Sequence, residues 1–219
     1  GYRKLEIAPD RHTSVIKEQK RIRNKAPFYA LLIVTGGYLL TWLLYSQWMT
    51  TISTHALSLG ITLKQYSLLW TINGLLIVLG QPLIKPIIKR LEDRIKTQMI
   101  IGILIFAASF IVVAYAGTFK MFIVSMIILT FGEMFVWPAI PTLASQLAPK
   151  GREGFYQGIV NSTATIGRMI GPFAGGVLVD LYGMQMMIFL LTGIMIFSII
   201  TTLLYDRPLK KAGYESRSH

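Results

Sequence analysis

The feature that most constrains this chain is a series of long apolar stretches joined by short, often charged connections. A helix needs about 20 apolar residues to cross the hydrocarbon core of a bilayer. Six stretches reach this length, although proline or glycine interrupts the second, fourth and fifth of them. They cover residues 28–54, 65–88, 97–116, 120–147, 155–179 and 185–205. The pattern predicts an all-α polytopic membrane protein with six transmembrane helices.

The composition supports this interpretation and argues against a soluble enzyme. Hydrophobic residues make up 53% of the 219 residues and charged residues only 15%, whereas a soluble domain carries about 25% charged residues. The chain has no cysteine, so it has no thiolate metal site or disulfide. It also lacks the short motifs of zinc proteases, serine hydrolases and phosphate-binding loops. We therefore expect no enzymatic activity, no metal and no cofactor.

The basic residues lie on one side of the predicted helices. Of the 22 Lys and Arg residues, eight precede Pro27, and most of the others follow the second, fourth and sixth stretches. The positive-inside rule then predicts that both termini are cytoplasmic. The net charge of +12 has this simpler explanation, since no basic face alternates with aromatic residues as in a nucleic-acid-binding protein.

Three regions follow from this topology. Residues 1–27 form a basic cytoplasmic segment, residues 28–205 the six-helix membrane unit, and residues 206–219 a cytoplasmic tail. The basic segment has two interpretations, a solvated linker from a preceding domain or an electrostatic tether to anionic lipid. Because the chain begins at Gly1 rather than at Met, we expect it to be a fragment of a longer protein or a processed piece.

Two charged residues are predicted near the middle of the membrane. Glu133 lies halfway along the fourth stretch and Arg168 halfway along the fifth. A charge at the centre of a helix costs about 2.5–3.5 kcal/mol on insertion scales, so such a residue is a candidate for a functional site. Burial disfavours the charged form of a carboxylate, whereas arginine stays charged. Glu133 is therefore the candidate proton carrier, and Arg168 its candidate partner; the alternative is a structural ion pair that joins two helices.

Polar and aromatic residues in the first two stretches form a candidate substrate site. Asn73 and Gln81 fall on roughly one helical face, and Tyr45, Gln47 and Trp70 lie in the same predicted region of the membrane. An apolar cavity with a few amides and aromatic rings suits an amphiphilic or cationic ligand. Alternatively, the Asn and Gln side chains form hydrogen bonds between helices, and Trp70 lies at the membrane interface.

Glycine and proline residues in the fourth and fifth stretches predict close helix packing and local bending. Small residues spaced by four let two helix backbones approach, and proline bends a helix. A bendable helix that carries a titratable group suits a gated pathway. The residues concerned are Pro138, Gly167, Gly171, Pro172, Gly175 and Gly176.

Three sequence elements together resemble a known family. They are the segment 73–82, with sequence NGLLIVLGQP; the Thr-Phe-Gly-Glu segment 130–133 followed by Pro138; and the glycine-rich segment 167–176. The chain resembles the C-terminal half of a bacterial major facilitator superfamily transporter, close to proton-coupled multidrug exporters with twelve spans. The resemblance implies two inverted three-helix repeats, 28–116 and 120–205, and places a residue implicated in proton coupling at Glu133.

The resemblance implies a secondary active transporter in the cell membrane that exports small amphiphilic or drug-like compounds by alternating access. Its energy source would be the proton gradient. Its partners would be the substrate, protons, membrane lipid and an N-terminal six-helix half, either a covalent neighbour or a separate chain. A proton-coupled importer of peptides or other small metabolites is the main alternative. A channel or a passive membrane scaffold is less favoured, because either would leave Glu133 without a role.

Overall fold

A computed structural model describes residues 25–213, and this part of the chain contains helices and no strand. Short 3-10 helices at Ser46–Met49 and Glu92–Arg94 connect some of the α-helices. Nearly all of the predicted basic segment, and the last six residues of the tail, lie outside the described residues. The α-helices are α1 (Ala26–Tyr45), α2 (Thr51–Ser58), α3 (Leu63–Arg90), α4 (Ile95–Ala114), α5 (Phe119–Leu147), α6 (Glu153–Tyr182), α7 (Met184–Leu204) and α8 (Arg207–Lys211).

Six long helical regions match the six predicted stretches, and five of them are apolar enough to cross a membrane. These are Ala26–Ser58, which combines α1, a 3-10 turn and α2, together with α3, α4, α5 and Met184–Lys211. The sixth, α6, is 30 residues long, which is sufficient to span a bilayer. The sequence prediction therefore overestimated how apolar α6 is. Its middle turns carry polar residues, including Asn161, Thr165 and Arg168.

Local sequence signals set the boundaries of several helices. Thr62 and Gln65 form a capping box at the start of α3, in which the Gln65 backbone N–H donates to Thr62 Oγ1 over 3.2 Å. Gly183 separates α6 from α7 with φ of 82°, a left-handed conformation that glycine adopts without steric cost. Pro138 and Pro172 do not end their helices, because α5 and α6 continue through them.

The helices pack as two interlocked repeats of three. Helix α1 contacts α6 and α7, and α5 correspondingly contacts α3 and α4, while α4 contacts α7. Exchanging α1 with α5, α3 with α6, and α4 with α7 reproduces these contacts. The first helix of each repeat thus packs mainly on the other repeat, as expected for inverted repeats.

Small residues allow the closest helix crossings. Gly132 of α5 faces the backbone of α4, where an added Cβ would lie 3.2 Å from the Gly102 carbonyl oxygen. Further along the same crossing, the Ser109 and Ser125 hydroxyls each donate to the other's carbonyl oxygen over 2.8 Å. Such backbone approach and hydrogen bonding hold helices together where lipid provides no hydrophobic driving force.

One end of the helix bundle is strongly basic. The first turns of α1 and α6 meet there through the stacked rings of Phe28 and Phe155. At the same end, Asp206 pairs with Lys96 at 2.7 Å and with Lys210 at 3.0 Å. The described part of the chain therefore enters and leaves the bundle at the end where most of its Lys and Arg residues lie.

Candidate functional site

Glu133 is buried where α5 packs against α3. Its carboxylate Oε2 accepts a hydrogen bond of 2.9 Å from Asn73 Nδ2, which also donates to Thr130 Oγ1 at 2.9 Å. Glu133 is 3% exposed and Asn73 8% exposed. Asn73, predicted to contact substrate, therefore acts in the structure as the hydrogen-bond partner of the buried carboxylate.

The second carboxylate oxygen of Glu133, Oε1, can accept further hydrogen bonds. The Tyr45 hydroxyl of α1 lies beside the carboxyl group and interacts with it. Oε1 of this carboxyl group has no hydrogen-bond partner among residues 25–213. A buried polar atom is normally paired, so this oxygen is free to accept a further hydrogen bond.

A cavity of about 560 Å³ lies between α3 and α5, and Glu133 forms part of its wall. Its volume falls within the range of about 300–1,000 Å³ found for small-molecule sites. Two of the predicted residues, Gln81 and Pro138, also line it. The lining residues are Ile77, Gln81, Ile84, Lys85, Ile88, Glu133, Met134, Trp137 and Pro138.

An aromatic cluster connects this cavity to the interior of the bundle. Trp137 lines the cavity and stacks on Trp42 of α1, with ring centres 4.4 Å apart. Tyr45 lies edge-on to Trp137 at 5.2 Å and to Trp70 at 6.5 Å. Sequence analysis selected Tyr45 and Trp70 but missed Trp42 and Trp137. The spacing of Glu133 and Trp137, four residues apart on one helix, was the signal for the latter.

The structure does not bring Arg168 and Glu133 together. Arg168 is exposed, and its guanidinium carbon lies 4.8 Å from the centre of the Trp42 ring, a cation–π arrangement. Its side chain also donates to Thr165 Oγ1 at 3.4 Å. The ion pair considered from sequence is therefore not formed: Arg168 lies over the Trp42 ring, whereas the Glu133 carboxylate bonds to Asn73. A role for Arg168 in proton coupling stays a prediction.

Gln47 joins two helices and lies outside the cavity lining. Its amide nitrogen donates to the carbonyl oxygens of Leu43, at 2.9 Å, and Gly171, at 2.8 Å. Its amide oxygen accepts from Thr51 Oγ1 at 2.7 Å, and the side chain is fully buried. The structure thus shows Gln47 in a hydrogen bond between helices, its alternative role, and its contact with substrate stays a prediction.

Glycines spaced by four along α6 form the contact with α1 and the 3-10 turn that follows it. A Cβ atom at Gly167 would lie 2.6 Å from Trp42 Cβ, and one at Gly175 would overlap the Gln47 amide. Gly176 does not belong to this contact, since a Cβ there would meet no atom within 4 Å. The difference arises because residue 176 faces about 100° away from residue 175 on the helix.

Comparison with known proteins identifies the family to which this six-helix fold belongs. The sequence profile of the Major Facilitator Superfamily matches residues 11–218. The chain belongs to this superfamily.

Relatives within the superfamily include transporters and multidrug resistance proteins by name. The chain is 53% identical over 212 residues to YttB of Bacillus subtilis, described as an uncharacterized MFS-type transporter, covering 97% of this chain and 53% of that protein. It is 27% identical over 186 residues to the multidrug resistance protein MdtG of Proteus mirabilis, covering 84% of this chain and 46% of that protein. The chain thus spans about half the length of these superfamily relatives.

Proposed function

We propose that this chain is one half of a secondary active transporter that exports small amphiphilic compounds in exchange for protons. A second six-helix half would complete the substrate pathway, and the two halves would alternate between inward-open and outward-open states. The superfamily membership and the half-length coverage of the relatives support this arrangement. The name of the MdtG relative supports drug-like compounds as the substrate class.

The observation that carries the proposal is the unpaired oxygen of Glu133 at the wall of an apolar cavity. A charged carboxylate is costly in this setting, and the hydrogen bond from Asn73 offsets only part of that cost. Binding a proton at Oε1 removes the charge and changes the energy of any state in which the site is dehydrated. A ligand or proton that binds one state better than the other shifts the population toward that state.

The aromatic residues would provide the apolar contacts for the substrate. Trp137 lies in the cavity wall, and Tyr45 and Trp70 extend the aromatic surface behind it. Flat aromatic faces accept amphiphiles of varied shape through apolar and stacking contacts. Gln81 supplies a polar group in the same wall. We further propose that the protein lies in the cell membrane with both termini in the cytoplasm, because the basic end of the bundle follows the positive-inside rule.

The test is pH-driven transport by the complete protein, including its second half, in everted membrane vesicles. Ethidium and 1-anilinonaphthalene-8-sulfonate serve as cationic and anionic amphiphilic probes. Glu133→Gln keeps the size of the side chain but removes the titratable group. We expect it to abolish probe accumulation driven by a pH gradient. Glu153→Gln, which removes an exposed carboxylate at the start of α6, should leave accumulation unchanged.

The amount of folded protein is measured in the same vesicles, because an altered buried site can lower stability. Size-exclusion chromatography in detergent gives this amount for each variant. Wild-type accumulation in a well-folded Glu133→Gln protein would contradict the proposal and move the proton site to the other half. Loss of transport in both variants at a wild-type amount of folded protein would also contradict the proposal, because the effect would not be specific to Glu133.

A further inference from the structure

The cavity between α3 and α5 has a second polar region, formed by Gln81 and Lys85. Both side chains line the cavity, and residues four apart lie on the same face of a helix. Among the described residues, the ion pairs use Lys96 and Lys210 rather than Lys85. Within residues 25–213, neither Gln81 nor Lys85 has a hydrogen bond or ion pair, so their donors are free.

This polar region lies far from the buried carboxylate. Asn73, which bonds to Glu133, and Lys85 are separated by about 18 Å along α3 at 1.5 Å per residue. Most of the remaining lining is apolar and includes Ile77, Met134 and Trp137. The cavity therefore runs from an ammonium group at the basic end of the bundle, past aliphatic and aromatic side chains, to a carboxyl group near its middle.

The two charged groups differ in what can reach them. Glu133 is 3% exposed, and one of its oxygens is already occupied by Asn73. The remaining carboxylate oxygen is therefore accessible to a proton rather than to a ligand headgroup. Lys85 is exposed and sits on a flexible stem, so it can meet a ligand headgroup. A lysine ammonium carries a positive charge, donates hydrogen bonds and accepts none, so an anionic headgroup complements both its charge and its donors.

We propose that this cavity binds an organic anion with a single apolar chain, held by its headgroup on Lys85 and Gln81. The apolar chain lies against the isoleucines of α3 and against Trp137. The proposal rests on the proposed function, because it names the substrate class of the same cavity. It also separates the two charges in space: Lys85 selects the charge of the substrate, while Glu133 exchanges the proton.

The experiment measures binding of two probes that share a chain and differ in charge. The complete transporter is placed in phosphatidylcholine nanodiscs, and 12-bromododecanoate or 12-bromododecyltrimethylammonium is added without a pH gradient. Bromine quenches tryptophan fluorescence on contact. Quenching of free tryptophan octyl ester in nanodiscs without the protein corrects for partition of the probes into lipid. We expect saturable quenching by the carboxylate probe, and we expect Trp137→Phe to remove the largest part of it.

Variants of two neighbouring lysines separate a specific headgroup contact from general surface charge. Lys85→Gln should weaken binding of the carboxylate probe about tenfold, the loss expected for a charge-assisted hydrogen bond. Lys89→Gln, an exposed lysine one turn further and outside the cavity lining, should change it less than about twofold. Lys85→Glu should reverse the preference in favour of the ammonium probe.

Three results would overturn the inference. The first is tighter binding of the ammonium probe to the wild-type protein. The second is an equal effect of the Lys85 and Lys89 substitutions. The third is loss of carboxylate binding when phosphatidylglycerol is added to the nanodiscs, which would make the region a phospholipid headgroup site.

The binding assay is independent of proton coupling. If Glu133→Gln transports normally but the Lys85 variants behave as expected, the substrate class stands and the proton site is wrong. If Glu133→Gln abolishes transport and the Lys85 variants bind the carboxylate probe like the wild type, the proton site stands and the substrate class is wrong.

Discussion

Replacing Gly171 by alanine is expected to destabilise the contact between α6 and α1. An added Cβ would lie 2.9 Å from the carbonyl oxygen of Leu43 and would also overlap the Ser46 side chain. The Ser46 hydroxyl can rotate away, but the Leu43 carbonyl belongs to the α1 backbone and cannot. The helices must therefore separate, which also stretches the 2.8 Å hydrogen bond from Gln47 to the Gly171 carbonyl oxygen.

The size of the effect follows from three contributions. Overpacking costs about 1–3 kcal/mol, and weakening a hydrogen bond between membrane helices costs about 0.6 kcal/mol. Alanine in place of glycine returns up to about 1 kcal/mol through helix propensity. Gly176→Ala is the matched control, because it gains the same propensity and its Cβ would meet nothing within 4 Å. Because the propensity gain is the same in both variants, Gly171→Ala should be less stable than Gly176→Ala by about 1.6–3.6 kcal/mol.

The assay is thermal unfolding of the complete transporter in detergent, followed by size-exclusion chromatography after heating. For a domain of this size, 1 kcal/mol corresponds to about 2–4 °C in Tm. We expect Gly171→Ala to unfold several degrees below Gly176→Ala, with Gly176→Ala equal to or above the wild type. Equal Tm values for the two variants would refute the reasoning that α6 and α1 are in contact at Gly171.

Two further predictions concern the basic end of the bundle and the orientation of the chain. Asp206→Asn removes the partner of two lysines, and because the pairs are partly exposed the loss should be less than about 1 kcal/mol. The Tm difference should shrink as salt is added, and a difference independent of salt would contradict an electrostatic origin. With single cysteines in intact cells, Lys120→Cys should react with an impermeant maleimide and Lys210→Cys should not. External labelling of position 210 would reverse the proposed topology.

The sequence by itself determined the helical architecture of this protein. Long apolar stretches must satisfy their backbone hydrogen bonds internally when they lie in lipid, so they form helices whatever their neighbours are. The even number of apolar stretches and the one-sided distribution of Lys and Arg are likewise properties of the sequence alone. Depth along a helix is set by residue count, which is why Glu133 could be placed near the middle of α5 before any tertiary contact was known.

Tertiary structure decided which way the polar side chains face. Asn73 bonds to Glu133 and Gln47 bonds to Gly171, whereas Gln81 lines the cavity. All three are amides in apolar helices, and the sequence could not distinguish their roles. A residue's position around a helix axis acquires meaning only when the neighbouring helix is in place, and the neighbours here come from the other repeat.

The same reason explains the aromatic cluster and the separation of Arg168 from Glu133. Trp42 and Trp137 are 95 positions apart in sequence and stack because α1 packs against α5. Arg168 lies over the Trp42 ring because α6 crosses α1 closely at its glycines. The position of a charged residue along its helix determines its depth in the membrane. Its partner is determined by how the helices cross, which depends on where their backbones approach most closely.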